Sequence, residues 1–216
     1  MGAHHALLRI VRFGLIKVAP GLFNFALIPY LLVALGSAAY GLYSVWLGYA
    51  MLVANTVAAI VCQPMFRHLS SKPQERDLYA GFAVAASLLA LVLTVFVLAI
   101  AGVPKLLAAG FGVFALGTVL ISVVAVDLTI SQNILRLAFL EVLRIVAILV
   151  VMAWPQSTGV ALRIDHVVMA MALANLLPAV LLAGRPAFAR PRASWLRENL
   201  GYGAKSATWL VLAGLP

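Results

Sequence analysis

The sequence predicts an all-α polytopic membrane protein with six transmembrane helices and the start of a seventh. Three observations predict it. Apolar residues come in runs of roughly 20 or more, the length that crosses a ~30 Å hydrocarbon core. The runs lack the alternation and the length of about ten residues that mark a spanning barrel strand, so the spanning elements are helices. The composition is 65% hydrophobic and 10% charged over 216 residues. A water-soluble domain is nearer a quarter charged, and this chain has too little polar surface to cover a soluble core.

The first run covers 13–36, behind Arg9, Arg12 and Lys17. It is longer than the ~7–15 apolar residues of a signal peptide and contains Pro20, Asn24 and Pro29, so it reads as a retained helix. The two prolines are expected to kink it near Asn24. Lys17, Gly21, Asn24 and Ile28 share one face of this helix. Lys17 either snorkels to the inner surface or stands at the mouth of a cytoplasm-facing cavity. The second run, 41–65, follows the short connection "GSAAY" and carries the isolated amide Asn55. Runs 78–103 and 106–130 are joined by "GVPK". Both short connections predict antiparallel hairpins. Asp127, near the inner end of the fourth run, is expected to pair with Arg136 or Arg67.

The fifth run, 133–154, is apolar enough to span, yet it holds Arg136, Glu141 and Arg144. At 100° per residue, Asn133, Arg136, Glu141 and Arg144 fall within an arc of about 140°. Leu135, Ala138, Phe139, Val142, Leu143, Val146, Leu149 and Val150 occupy the other side. Arg144 lies about 16 Å along the axis from Asn133, too deep for easy snorkelling. A charge at that depth costs at least ~2.5 kcal/mol, so it should face a cavity or a partner. Two readings are open: Glu141 and Arg144 neutralise each other at i, i+3, or Arg144 lines a wet cavity. Arg136, nearer the edge, reads as topogenic. The sixth run, 165–184, carries Asn175 three residues before Pro178. Asn55 and Asn175 both suit hydrogen bonding between helices.

Three segments follow: a six-helix lobe at 1–184, a basic linker at 185–199 and the start of a seventh helix at 200–216. The linker region "GRPAFARPRASWLREN" is rich in proline and arginine, with an amphipathic end expected at the cytoplasmic surface. "LRIVRFGLIK" (8–17) and "LRENLGYGAK" (196–205) introduce the first and seventh helices with similar patterns. Such similarity is what duplication of a six-helix unit leaves, and internal repeats are common in transporters.

With the N-terminus placed in the cytoplasm, only Lys105 and Arg163 of the 15 Lys and Arg fall at outer ends. That is a strong positive-inside bias. The net charge of +9 is thereby topogenic, and a nucleic-acid partner is not expected. The single Cys62 excludes an internal disulfide. There is no GxSxG, Walker lysine loop, HExxH or carboxylate pair within one helix, so neither catalysis, a cofactor nor a metal is expected.

Three stretches carry a resemblance: "LIPYLLVALGSAAYGLYSVWLGY" at the first hairpin, "PMFRHLSSKPQERD" after the second helix, and "SQNILRLAFLEVLRIVAILVV" opening the fifth. The chain resembles the polysaccharide-biosynthesis exporters, the O-antigen and exopolysaccharide flippases of the multidrug/oligosaccharidyl-lipid/polysaccharide superfamily. Leu35, Gly36, Tyr40 and Gly41 form its most characteristic piece. The resemblance implies a transporter of twelve to fourteen spans in the bacterial inner membrane. Two six-helix lobes would form a V around a central cavity and move a lipid-linked glycan by alternating access. This chain would supply the N-terminal lobe and the start of the second, and would not transport alone. The implied cargo is a polyprenyl-pyrophosphate-linked oligosaccharide, and the implied partners are membrane lipids, a glycan polymerase and other polysaccharide-assembly proteins. A pyrophosphate entering low dielectric must meet cations. Lys17 and Arg144, with Glu141 as the latter's partner, are the candidates for that contact. Asn24, Asn55 and Asn175 are the candidates for sugar hydroxyls. Two alternatives stand beside this one. A cation-coupled multidrug and toxin extrusion antiporter would have Glu141 as its one deep carboxylate, and a truncated membrane protein would transport nothing.

Overall fold

A computed structural model of the chain describes residues 2–182 and 192–213, with side chains at 14, 16, 18–182 and 192–208. Among these residues the elements are α1 (Gly2–Leu35), α2 (Ser37–His68), a 3-10 turn (Pro73–Glu75), α3 (Arg76–Ile100), α4 (Lys105–Ile130), α5 (Ile134–Ser157), α6 (Ile164–Leu182) and α7 (Ala193–Ala213), with no strand. α1 runs unbroken through Pro20 and Pro29.

Backbone geometry sets where the chain reverses. Gly36 alone separates α1 from α2, at φ +80° and ψ 157°. That region is open essentially only to glycine. Leu32 O accepts from Gly36 N–H at 3.1 Å, and Gly36 O accepts from Tyr40 N–H at 2.9 Å, so the helical bonding passes the corner nearly intact. The α3–α4 reversal also turns on a glycine, Gly102 (φ +75°). Val103 N–H there donates to Leu98 O, and Gly102 N–H to Ala99 O, which is the Schellman arrangement. Pro104 then leads into α4, where a proline cannot extend the preceding helix.

Packing is centred on α4, which touches α2, α3, α5 and α6. In a membrane, small residues let backbones approach. Ala50, Ala54, Ala86, Ala90, Ala115, Ala170 and Ala174 are all buried. A Cβ on Gly112 would sit 2.7 Å from Val95 Cγ2 in α3, and one on Gly117 would sit 3.0 Å from the Asn175 Cβ and Leu176 N in α6. The Gly112 approach to α3 bears out the α3–α4 hairpin. The α1–α2 corner differs from expectation. α1 shares few contacts with α2 or α5, and only 11% of its window Val18–Leu35 is buried. A one-residue corner reverses the chain without laying the two helices side by side.

Among the described residues, five helices are long and apolar enough to cross a membrane: α1 over Val18–Leu35, α2, α3 with its preceding turn, α4 and α6. The protein is thus a membrane-embedded multi-pass helical protein. The expected sixth span, α5, is not among the five; it carries Arg136, Glu141 and Arg144 in 24 residues.

At the end holding the C-terminus of α2, α7 begins at Ala193, earlier than the expected 200. Trp195 to Asn199 therefore belong to its first turns, while residues 185–191 of the expected linker lie outside the described ones. Tyr79 Oη donates to Asn199 Oδ1 at 2.6 Å, and both residues are buried. Trp195 Nε1 donates to Glu75 Oε2 at 2.9 Å while its ring meets Tyr79 edge-on at 4.9 Å. The Arg67 guanidinium stacks over Tyr202 at 4.7 Å. A Cβ on Gly203 would lie 2.2 Å from Ile60 O. The amphipathic "SWLREN" is a docking surface for α2 and α3. Asp127 pairs with Arg76 at 2.8 Å, not with Arg136 or Arg67. The close α3–α4 hairpin brings the start of one helix beside the end of the other.

Candidate substrate-binding site

α5 starts from a side-chain cap. Asn133 Oδ1 accepts from Arg136 N–H at 3.2 Å, which satisfies a backbone donor that has no partner within the helix. Asn133, expected on the polar arc, serves the helix end instead. From that cap the helix turns Leu137, Leu140 and Ile148 inward, and leaves Leu135, Phe139, Val142, Val146, Leu149 and Val150 exposed. They are six of the eight residues placed opposite the charges by periodicity; the other two, Ala138 and Leu143, are only partly exposed. Arg136 is exposed near the helix start. Glu141 is buried (7% exposed) and Arg144 follows it one turn later.

Arg144 joins three helices. Its Nη1 donates to Glu141 Oε2 at 3.0 Å, and its Nε donates to Asn175 Oδ1 of α6 at 3.2 Å. Asn175 Nδ2 donates to Thr118 Oγ1 of α4 at 2.9 Å, and Thr118 Oγ1 donates to Phe114 O at 2.8 Å. The direction of the chain is fixed by chemistry. A guanidinium can only donate, so the Asn175 oxygen must face it and the amide nitrogen must face Thr118. The threonine hydrogen is then left for the Phe114 carbonyl. Gly117 makes the chain possible, because α6 backbone fits where a side chain would otherwise stand.

The Arg144 side chain remains 31% exposed. Five N–H groups are available to an arginine. Among the described residues, Nη2 has no partner. Nε and Nη1 are therefore held, and Nη2 is left open.

Of the six residues singled out from sequence, the fold brings Glu141, Arg144 and Asn175 together. Asn24 and Asn55 are exposed on α1 and α2, with no hydrogen bond among the described residues. The Lys17 side chain lies outside the described residues, but the helix register places its backbone. Gln156 Nε2 of α5 donates to Tyr30 Oη of α1. Phe23 and Leu27 meet Leu149 and Met152 across a small cleft. The two helices thus run in the same direction with an offset of 126 residues. That offset puts position 17 level with Leu143, beside Arg144. Thr118 was not anticipated. Its only sequence signal is the adjacent small and polar pair Gly117–Thr118 inside an apolar run, which suits a helix contact.

Among the described residues no group of three His, Cys, Asp or Glu could hold a metal ion. The site offers charge and hydrogen bonds rather than a nucleophile. No family model, curated protein or solved structure matches the chain.

Proposed function

We propose that this chain is a lobe of a transporter that moves a lipid-linked glycan across the bacterial inner membrane, with Arg144 meeting the cargo's phosphate. The observation that carries the reading is the half-held guanidinium of Arg144. Its Nε and Nη1 are fixed by Asn175 and Glu141 while about a third of the side chain stays open. Charge-assisted hydrogen bonds to phosphate are among the strong ones, and an arginine already oriented loses little freedom in making them. In this reading α5 is a sixth span, tolerated in the bilayer because its charges pair on one face. Lys17 is kept as a second candidate cation from the sequence, and Asn24 and Asn55 offer exposed amides to sugar hydroxyls. The cargo class rests on the sequence resemblance described above.

A second reading has its own support. The Glu141–Arg144–Asn175–Thr118 chain also acts as interhelical glue, and Arg144 would then be structural in a protein that transports nothing. Deleting the gene separates the two. Transport of the glycan predicts loss of surface polysaccharide and build-up of its lipid-linked precursor on the cytoplasmic leaflet. Unchanged surface polysaccharide with no precursor build-up overturns the reading.

The orientation proposed with it places the N-terminus and the start of α7 in the cytoplasm, from the charge bias. Ser70, Ser157 and Ser194 are all exposed. Single cysteines there, in a Cys62→Ser background, should react with an impermeant reagent from outside only at 157. Outside labelling at 70 or 194 reverses the topology.

A further inference from the structure

We infer that a groove between α4 and α6, at the Gly36 end of the bundle, holds one anionic phospholipid of the leaflet at that end. It goes beyond the transport proposal and does not depend on it. The groove encloses about 790 Å³. Leu106 and Leu107 of α4 wall one side, and Met169 and Leu173 of α6 the other. Gly110 and Val168 bring the helices together at its floor, since a Cβ on Gly110 would lie 3.0 Å from Val168 Cγ1. From Lys105 to Val113 the groove descends about 12 Å, close to the depth of one leaflet in a ~30 Å core.

The mouth carries the distinguishing chemistry. Among the described residues, the Lys and Arg at helix ends gather mostly at the opposite end of the bundle. The exceptions are Lys105 and Arg163, and both stand at this one groove. Arg163 lines it, and Lys105 sits between the lining residues Pro104 and Leu106. Arg163 pairs with Asp165 at 3.2 Å, with side chains 71% and 48% exposed. The mouth therefore keeps one net positive charge. An apolar trough of leaflet depth capped by a net cation complements a molecule with an acyl chain and a phosphate headgroup. A neutral lipid would use the trough but not the charge, and a protein helix would not fill a groove this narrow at its floor.

Retention of lipid through purification tests this without any transport assay. The full chain in non-ionic detergent is offered equal phosphatidylglycerol and phosphatidylcholine, and native mass spectrometry counts what stays bound. The expected result is one phosphatidylglycerol, favoured about fivefold, the selectivity of one net cation near a membrane surface. Lys105→Gln with Arg163→Gln should erase the preference while leaving some lipid bound. Ala109→Phe, at an exposed lining position, should reduce retention of both lipids. If Ala109→Phe loses helicity, Leu106→Asn, which adds no bulk, takes its place. Equal retention of the two lipids by the parent protein overturns the inference, as does an unchanged preference in the double glutamine variant.

Discussion

Replacing Glu141 by leucine should lower the melting temperature in detergent by about 4–8 °C. The change removes the carboxylate that accepts from Arg144 Nη1 at 3.0 Å and leaves the guanidinium the neutral amide of Asn175. Breaking a buried pair costs ~3–5 kcal/mol. Arg144 is partly open, so about 2 kcal/mol is expected here, at ~2–4 °C per kcal/mol for a chain of this size. The double variant Glu141→Leu with Arg144→Leu should recover most of the loss, because neither member of the pair then remains as a charge without the other. A thermal-shift series on the two single variants and the double measures the coupling. If the losses simply add, the ion pair is not holding α5 against its neighbours.

Gly203→Val should detach α7 from α2. The new Cβ would stand 2.2 Å from Ile60 O and 2.9 Å from Ile60 C, and backbone cannot swing aside as a side chain tip can. The Tyr79–Asn199 and Trp195–Glu75 hydrogen bonds depend on the same docking. Ala207, one turn beyond Gly203, is 4% exposed. A cysteine at 207 in a Cys62→Ala background should react slowly with maleimide in the parent and at least about tenfold faster beside Gly203→Val, as expected when ~1.4 kcal/mol or more of docking is lost. Equal rates would mean that α7 is held by contacts other than the glycine approach.

Much of this architecture was legible because it depends on local pattern. Run length located six of the helices, and the 100° period placed six of the exposed residues of α5 on one side, with Ala138 and Leu143 there only partly exposed. The Glu141–Arg144 pair followed from spacing alone. What the sequence did not disclose depends on how helices approach one another. Thr118 lies on α4 and Asn175 on α6, and nothing local to either announces the other. Their meeting requires the missing side chain of Gly117. Asp127 found Arg76 because the α3–α4 hairpin is tight along its length, a fact invisible in the spacing of charges. The α1–α2 corner misled in the opposite direction: the short connection "GSAAY" suggested an antiparallel hairpin, whereas the corner is Gly36 alone and α1 packs little against α2. "SWLREN" read as a surface segment because Trp195 and Asn199 find their partners more than a hundred residues away.

The central claim is that Arg144 faces the cargo and does not merely balance Glu141, and exchanging the two charges tests it most directly. Glu141→Arg with Arg144→Glu keeps the attraction but moves the cation about 60° around the helix and ~4.5 Å along it. The rest of the chain tolerates the exchange. The Asn175 amide can turn over, donating to Glu at 144 and accepting from the Thr118 hydroxyl. Export of the lipid-linked glycan and the melting temperature are then measured together in cells and membranes carrying the full gene. The account predicts that melting returns close to the parent value while export stays at least about tenfold low, as the loss of a charge-assisted hydrogen bond of ~1.5–3 kcal/mol requires. Parent-level export from the exchanged protein would contradict it and assign Arg144 to the fold alone.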